Sequence, residues 1–165
     1  MKKLSVLFAA VFLFVAVGVA KAQKIASLDV GAVLSVMPEK IKLDQQMKTL
    51  SDAKKTELDK KRTSAETLFE KYQKEAPTQT QQINEQRNAE LQKLQSNLQQ
   101  EAMAGEKDIR DKYDAGLEPI EKKIQDAISK VAKAKGYDFI VDATVFVYKG
   151  GPDATQDVKA ELGLK

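Results

Sequence analysis

The feature that most limits what this chain can fold into is Pro77. It separates two long helical runs, Pro38–Ala76 of 39 residues and Thr78–Leu117 of 40. A proline in the middle of a single rod would cost about 3 kcal/mol and remove a backbone hydrogen bond, with nothing gained. A turn at the same place gives two arms of nearly equal length, each about 60 Å at 1.5 Å per residue. Equal arms can fold back antiparallel and return both ends to one base. The first helix is expected to end near Ala76, because the residue before a proline is pushed out of helical geometry. The tip then lies at residues 76–80, with Thr78 or Thr80 placed to cap the returning helix.

The arms are sparsely apolar. In the first the pattern is Leu43, Met47, Leu50, Leu58, Ala65, Leu68, Phe69 and Tyr72; in the second it is Ile83, Leu91, Leu94, Leu98, Ala102, Ile109, Tyr113 and Leu117. Steps of mostly three, four, seven and eight make a thin coiled-coil-like seam rather than a broad core stripe. Charged pairs four apart, Glu57/Lys61, Glu70/Lys74, Glu106/Arg110 and Asp108/Lys112, mark water-facing sides and add about 0.2–0.5 kcal/mol each. Gly105 interrupts the second arm at a cost of about 1 kcal/mol against alanine, either as drift on an exposed face or as a hinge.

Outside the arms the chain reads as a small β-containing base. "KIASLDV" (24–30) alternates Ala26, Leu28 and Val30 on one face and is expected to be a strand. "GAVLSVM" follows as about two helical turns, and Pro38 with Glu39 suits a helix start. Pro119 marks a second break, after which Ile120, Ile124, Ile128 and Val131 form a stronger stripe, stopped by Gly136. "YDFIVDA" (137–143) and "VFVYK" (145–149) are expected to be two strands joined as a hairpin at Thr144. A last short helix runs from Asp153 or Thr155 to Leu162.

The first 22 residues are set aside. Lys2 and Lys3, an apolar stretch from Leu4 to Val19 and the end Ala20-Lys21-Ala22 describe a secretory signal peptide cleaved after Ala22. At about 16 residues the apolar stretch is shorter than the roughly 20 a spanning helix needs. Lys2, Lys3 and Lys21 account for the net charge of +3, so residues 23–165 hold 24 basic and 24 acidic residues. A neutral mature chain gives no footprint for nucleic acid. There is no Cys, His or Trp. That removes disulfides, thiol nucleophiles, imidazole bases and the commonest metal ligands, and no nucleophile–base pair, phosphate-cradling loop or metal spacing appears. We therefore expect no enzyme, no cofactor and no metal site. "KK" at 54–55 and "KKR" at 60–62 form a local basic run, a solvated helix face or a weak contact for membrane-surface phosphates or acidic segments.

A base of 63 residues, 23–37 and 118–165, is marginal without disulfides or metals, and its strands leave unpaired edges. A thin two-helix hairpin cannot build its own core either. Both point to a homo-oligomer whose strands join.

The opening strand "KIASLDV", the "MPE" before the first arm and the tail from Glu118, with "AI..VAK..GYD.IVDA" and the closing "T..V...L", resemble the Skp/OmpH family of periplasmic chaperones. The resemblance covers nearly all of residues 23–165. It implies an α+β, mostly helical fold: a small β base of three strands per chain, joined in a trimeric barrel, with a long antiparallel α-helical hairpin arm. It also implies an ATP-independent holdase that encloses unfolded outer-membrane β-barrel proteins between the arms of a homotrimer. The arms depart from the strongly basic family pattern: residues 38–117 carry 15 basic and 15 acidic residues. No lipopolysaccharide site is carried over. The client-facing candidates are Met47, Leu50, Leu58, Leu68, Phe69, Tyr72, Ile83, Leu91, Leu94 and Leu98, divided between arm seam and cavity lining. The oligomerisation candidates are Ile25, Leu28, Val30, Phe139, Val141, Val145 and Val147. The alternative function is a structural coiled-coil spacer or adaptor of the cell envelope, which would explain the arms but not the base.

Overall fold

A computed structural model describes residues 23–164; the expected signal peptide lies outside them. Strand β1 (Ile25–Leu28) leads into helix α1 (Val30–Leu34), whose start is capped by Asp29 accepting from the Ala32 N–H. Helix α2 (Pro38–Glu75) is the first arm, and a single 3₁₀ turn (Ala76–Thr78) reverses the chain at Pro77. Helix α3 (Gln81–Lys135) returns along it, capped by Thr80, whose hydroxyl accepts from Ile83 N. The two arms are a hairpin, not a rod.

Helix α3 does not stop where the sequence pattern suggested. It runs 55 residues, straight through Pro119, so the expected second break is absent. Proline removes the bond to the carbonyl of Ala115, but Pro119 and Ala115 both face solvent, where water can take that bond. Starting at the very next residue, Ile120, Ile124, Ala127 and Val131 are buried at steps of four, three and four. Ile120, Ile124 and Val131 each contribute about 1.5–3 kcal/mol on burial, enough to offset the proline. Gly136 ends the helix in left-handed geometry at φ 68°.

Strand β2 (Phe139–Asp142) then pairs in parallel with β1, Ile25 opposite Phe139 and Leu28 opposite Asp142. A parallel pair needs a long crossover, and here the entire arm supplies it. The other edge of β1 is taken by the loop before the last helix. Ser27 donates to Pro152 O at 2.9 Å and Ala154 donates to Ser27 O at 2.8 Å. Helix α4 (Thr155–Glu161) closes the chain, with Gly163 in left-handed geometry beyond it.

The expected third strand at 145–149 is not formed, so the described chain has two strands rather than three. The carboxylate of Asp142 accepts from Thr144 N (2.8 Å) and Thr144 Oγ1 (2.6 Å), and the chain turns through a 3₁₀ segment, Ala143–Val145. One residue at Thr144 is too short a loop to close a hairpin.

The core sits in the base and takes in the root of the arms. Ala26, Leu28, Val33, Met37, Ile120, Ile124, Ala127, Val131, Ala154 and Val158 form one cluster, and from the first arm only Leu43 is buried with it. Lys123–Glu39, Lys130–Glu161 (2.9 Å) and Lys135–Asp157 (2.8 Å) tie α3 to its neighbours around this core.

Candidate functional site

The arms carry the surfaces on which a binding function can rest. Eight of the ten client-facing candidates meet in the seam between α2 and α3. Met47, Leu50, Leu58, Leu68 and Tyr72 on one helix, and Leu91, Leu94 and Leu98 on the other, are half-buried. Phe69 and Ile83 are exposed, at 48% and 37%. The structure thus separates neighbours that the periodicity could not: Leu68 faces the partner arm, Phe69 faces outward.

The seam is polar at two places. Midway, Lys54 occupies a seam position over Gly105 and binds Asp108 at 2.9 Å, while Lys61 reaches Glu101 at 2.7 Å. Lys54, then Lys112, hold the Asp108 carboxyl below its ordinary range by hydrogen bonding to its charged form. Glu101, then Glu57, raise Lys61 for the same reason. Near the tip, Arg87 pairs with Glu75 at 2.6 Å and lies 4.4 Å over the Tyr72 ring, whose hydroxyl donates to Glu90 at 2.8 Å. That contact with Glu90 raises the phenol. Asn84 donates to the Ala76 carbonyl across the turn. Arg87 and Asn84 stand where a seam would ordinarily hold leucine, and the sequence reading missed both.

Of the four pairs expected four residues apart, Glu57–Lys61 and Asp108–Lys112 close, at 3.1 and 3.0 Å. The basic run at 54–62 is largely engaged within the chain: Lys54 and Lys61 cross to α3, and Arg62 lies 3.7 Å from Asp59.

Two shallow grooves flank the seam. One, of about 650 Å³, is bordered by the mid-arm charges together with Leu58, Ala102 and Ile109. The other, of about 880 Å³, lies nearer the tip, with Ala65, Leu91, Leu94 and Leu98 as its floor and Phe69 at its rim.

In the base the oligomerisation candidates divide. Leu28 is buried, Val30 packs against the core and Val141 is half-buried. Ile25, Phe139, Val145 and Val147 are exposed, and Phe146 and Tyr148, which the sequence reading did not single out, join them. The outer edge of β2 has no partner strand among the described residues. No described helix is long and apolar enough to cross a membrane.

Comparison with known proteins gives concordant findings. The profile of the family described as "Outer membrane protein (OmpH-like)" matches residues 24–162. A protein of Photorhabdus laumondii named "Chaperone protein Skp" is 30% identical over 147 residues, covering 88% of this chain and 89% of its own. One of the same name from Yersinia enterocolitica is 26% identical over 142 residues, covering 86% and 85%. A solved OmpH-like structure from Caulobacter crescentus superposes with a TM-score of 0.72 at 19% identity over 87% of this chain and 86% of that one, which bears on the fold.

Proposed function

Because the chain belongs to the OmpH-like outer membrane protein family, we propose that it is an ATP-independent holdase of the periplasm. It is exported by the segment ending at Ala22, and binds unfolded outer-membrane proteins between its arms so that they do not aggregate. The observation that carries this reading is the pairing of a long hairpin, apolar only along a thin seam, with a base that leaves apolar side chains and a strand edge free. Many weak apolar contacts on flexible clients need no pocket and no catalytic group, and their effect grows with local concentration.

In this reading residues 23–37 and 118–165 are the oligomerisation base and 38–117 the arm. The edge of β2 and the exposed Ile25, Phe139, Val145 and Val147 meet their equivalents in a homotrimer, since an open apolar strand edge invites pairing. The arms then surround a shared cavity. Phe69 and Ile83 are the strongest candidates for its lining, and the eight seam residues hold the arms together. Contact with a membrane surface is weak, because Lys54 and Lys61 are already engaged. The chain acts by binding, without catalysis.

Native mass spectrometry of residues 23–165, followed by an aggregation assay, tests this. A trimer that keeps a urea-unfolded outer-membrane β-barrel protein soluble after dilution, without ATP, is the expected result. A monomer that gives no protection overturns it and favours the envelope spacer.

A further inference from the structure

From the second groove we infer that a stripe of uncharged carboxamides on α3 binds the backbone of an extended, apolar client segment. The inference rests on the holdase reading and names the part of the client that is gripped.

Gln81, Asn88, Gln92, Gln95 and Gln99 follow one another at steps of seven, four, three and four. At 100° per residue they lie within about 60° of each other on the helix surface. They flank the seam row of Leu91, Leu94 and Leu98. Asn88, Gln92 and Gln95 form the α3 wall of the groove, and Phe69 and Gln73 stand on the α2 side. Gln81 is occupied by Glu85 at 2.9 Å. Gln73, Asn88, Gln92 and Gln95 are exposed and make no side-chain hydrogen bond to any described residue.

Each carboxamide offers both a donor and an acceptor and carries no charge. The α3 wall of this groove holds no lysine, arginine or carboxylate, so it attracts neither anions nor cations. On the α2 side Arg62, Glu66 and Glu70 carry mixed signs. The chemistry that suits such a wall is a neutral chain with unpaired N–H and C=O groups. An unfolded β-barrel segment presents those groups at every residue and sends alternate side chains to opposite sides. Laid along the groove, one row of its apolar side chains meets Phe69 and the leucine floor while its backbone meets the amides. Backbone recognition is blind to sequence, as a holdase for many clients requires. It also gives the glutamine-rich run a role beyond helix propensity.

The test uses residues 23–165 and a fluorescently labelled, urea-unfolded outer-membrane β-barrel protein diluted out of denaturant. The double variant Gln92→Ala/Gln95→Ala keeps helix propensity. Its affinity is expected to fall roughly tenfold, equally at low and high salt, for the loss of two neutral hydrogen-bonding groups. Gln82→Ala/Gln100→Ala, about 100° around α3 from the stripe and outside the groove, should bind as the unaltered protein does. A photo-crosslinker at Gln95 should capture the client, and one at Gln100 should not. Unchanged affinity of the Gln92/Gln95 variant, or equal capture at positions 95 and 100, overturns the amide stripe and leaves the holdase standing. Failure of the unaltered protein to bind this client overturns both. Should the double variant lose helicity, the crosslinking pair, made in otherwise unaltered protein, decides.

Discussion

The same substitution, glycine to alanine, should have opposite signs at two places on one helix. At Gly105 an added Cβ would meet only Lys54 Cδ, at 3.6 Å, an ordinary contact. Alanine there removes the conformational cost of glycine, a gain of about 0.5–1 kcal/mol. At Gly116 the added Cβ would lie 2.5 Å from Leu43 Cδ1, 3.2 Å from Cδ2 and 3.4 Å from Cγ. The clashing atom is a methyl at the end of the side chain, so the cost turns on whether Leu43 can rotate away. Leu43 is only 7% exposed and is the one buried residue of α2, so it has little room to retreat. Overpacking of this kind costs about 1–3 kcal/mol, which exceeds the helix gain. The net expectation is a loss of about 1 kcal/mol for Gly116→Ala, and a difference of about 2 kcal/mol between the two variants. Thermal melting followed by circular dichroism, at one fixed protein concentration, should place Gly105→Ala about 3 °C above the parent and Gly116→Ala about 3 °C below. In a Leu43→Ala background the clash is gone, and Gly116→Ala should become stabilising. If Gly116→Ala melts at or above Gly105→Ala in the parent background, the close approach of the arms at their root is wrong.

Leu68→Ser should destabilise the arm by about 1–3 kcal/mol and lower helicity, because it removes a seam contact. Phe69→Ser should leave melting nearly unchanged and reduce client protection; loss of helicity in this variant would return Phe69 to the seam. A further expectation concerns acid. Asp108 is held below its usual pKa by Lys54 and Lys112. Its ties are therefore fully present above the unfolded carboxylate value and are lost as pH falls through the lowered one. Spin labels at the exposed positions Thr56 and Ala104 should report a broader inter-arm distance at pH 2 than at pH 7, and high salt at pH 7 should reproduce part of the change. A distribution that stays narrow under both conditions would remove any role for the mid-arm ion pairs.

The arms were legible because their signals are local. Pro77 sets the turn, Thr80 caps the return, and the three-four spacing of Leu91, Leu94 and Leu98 names the seam. The base was less so, because its determinants are distant in sequence. Nothing near Pro119 reveals that the core formed with Leu28, Val33 and Val158 will carry the helix across it. The strand at 139–142 was visible, but its partner is β1, more than a hundred residues earlier, not the apolar run that follows. "VFVYK" has the composition of a strand, but the tight turn at Ala143–Val145 does not bring it back onto the open edge of β2. In the candidate site, spacing gave the set of apolar positions but could not tell Leu68 from Phe69, since adjacent residues on a helix differ by only 100°. Gly116 looked like any glycine until Leu43 was seen against it.

The passage of α3 through Pro119 has a mechanical consequence. The segment buried in the base at Ile120–Val131 and the segment that returns from the tip are one helix. From Ile120 to Gln81 that helix spans about 60 Å. Pivoted at its root, it works as a lever: a tilt of about 10° would sweep the tip through about 10 Å, a gearing set by that length alone. Small adjustments in how the base is packed are thereby magnified into displacement of the tip, and a force applied at the tip is felt, with the same ratio, at Leu43 and Gly116.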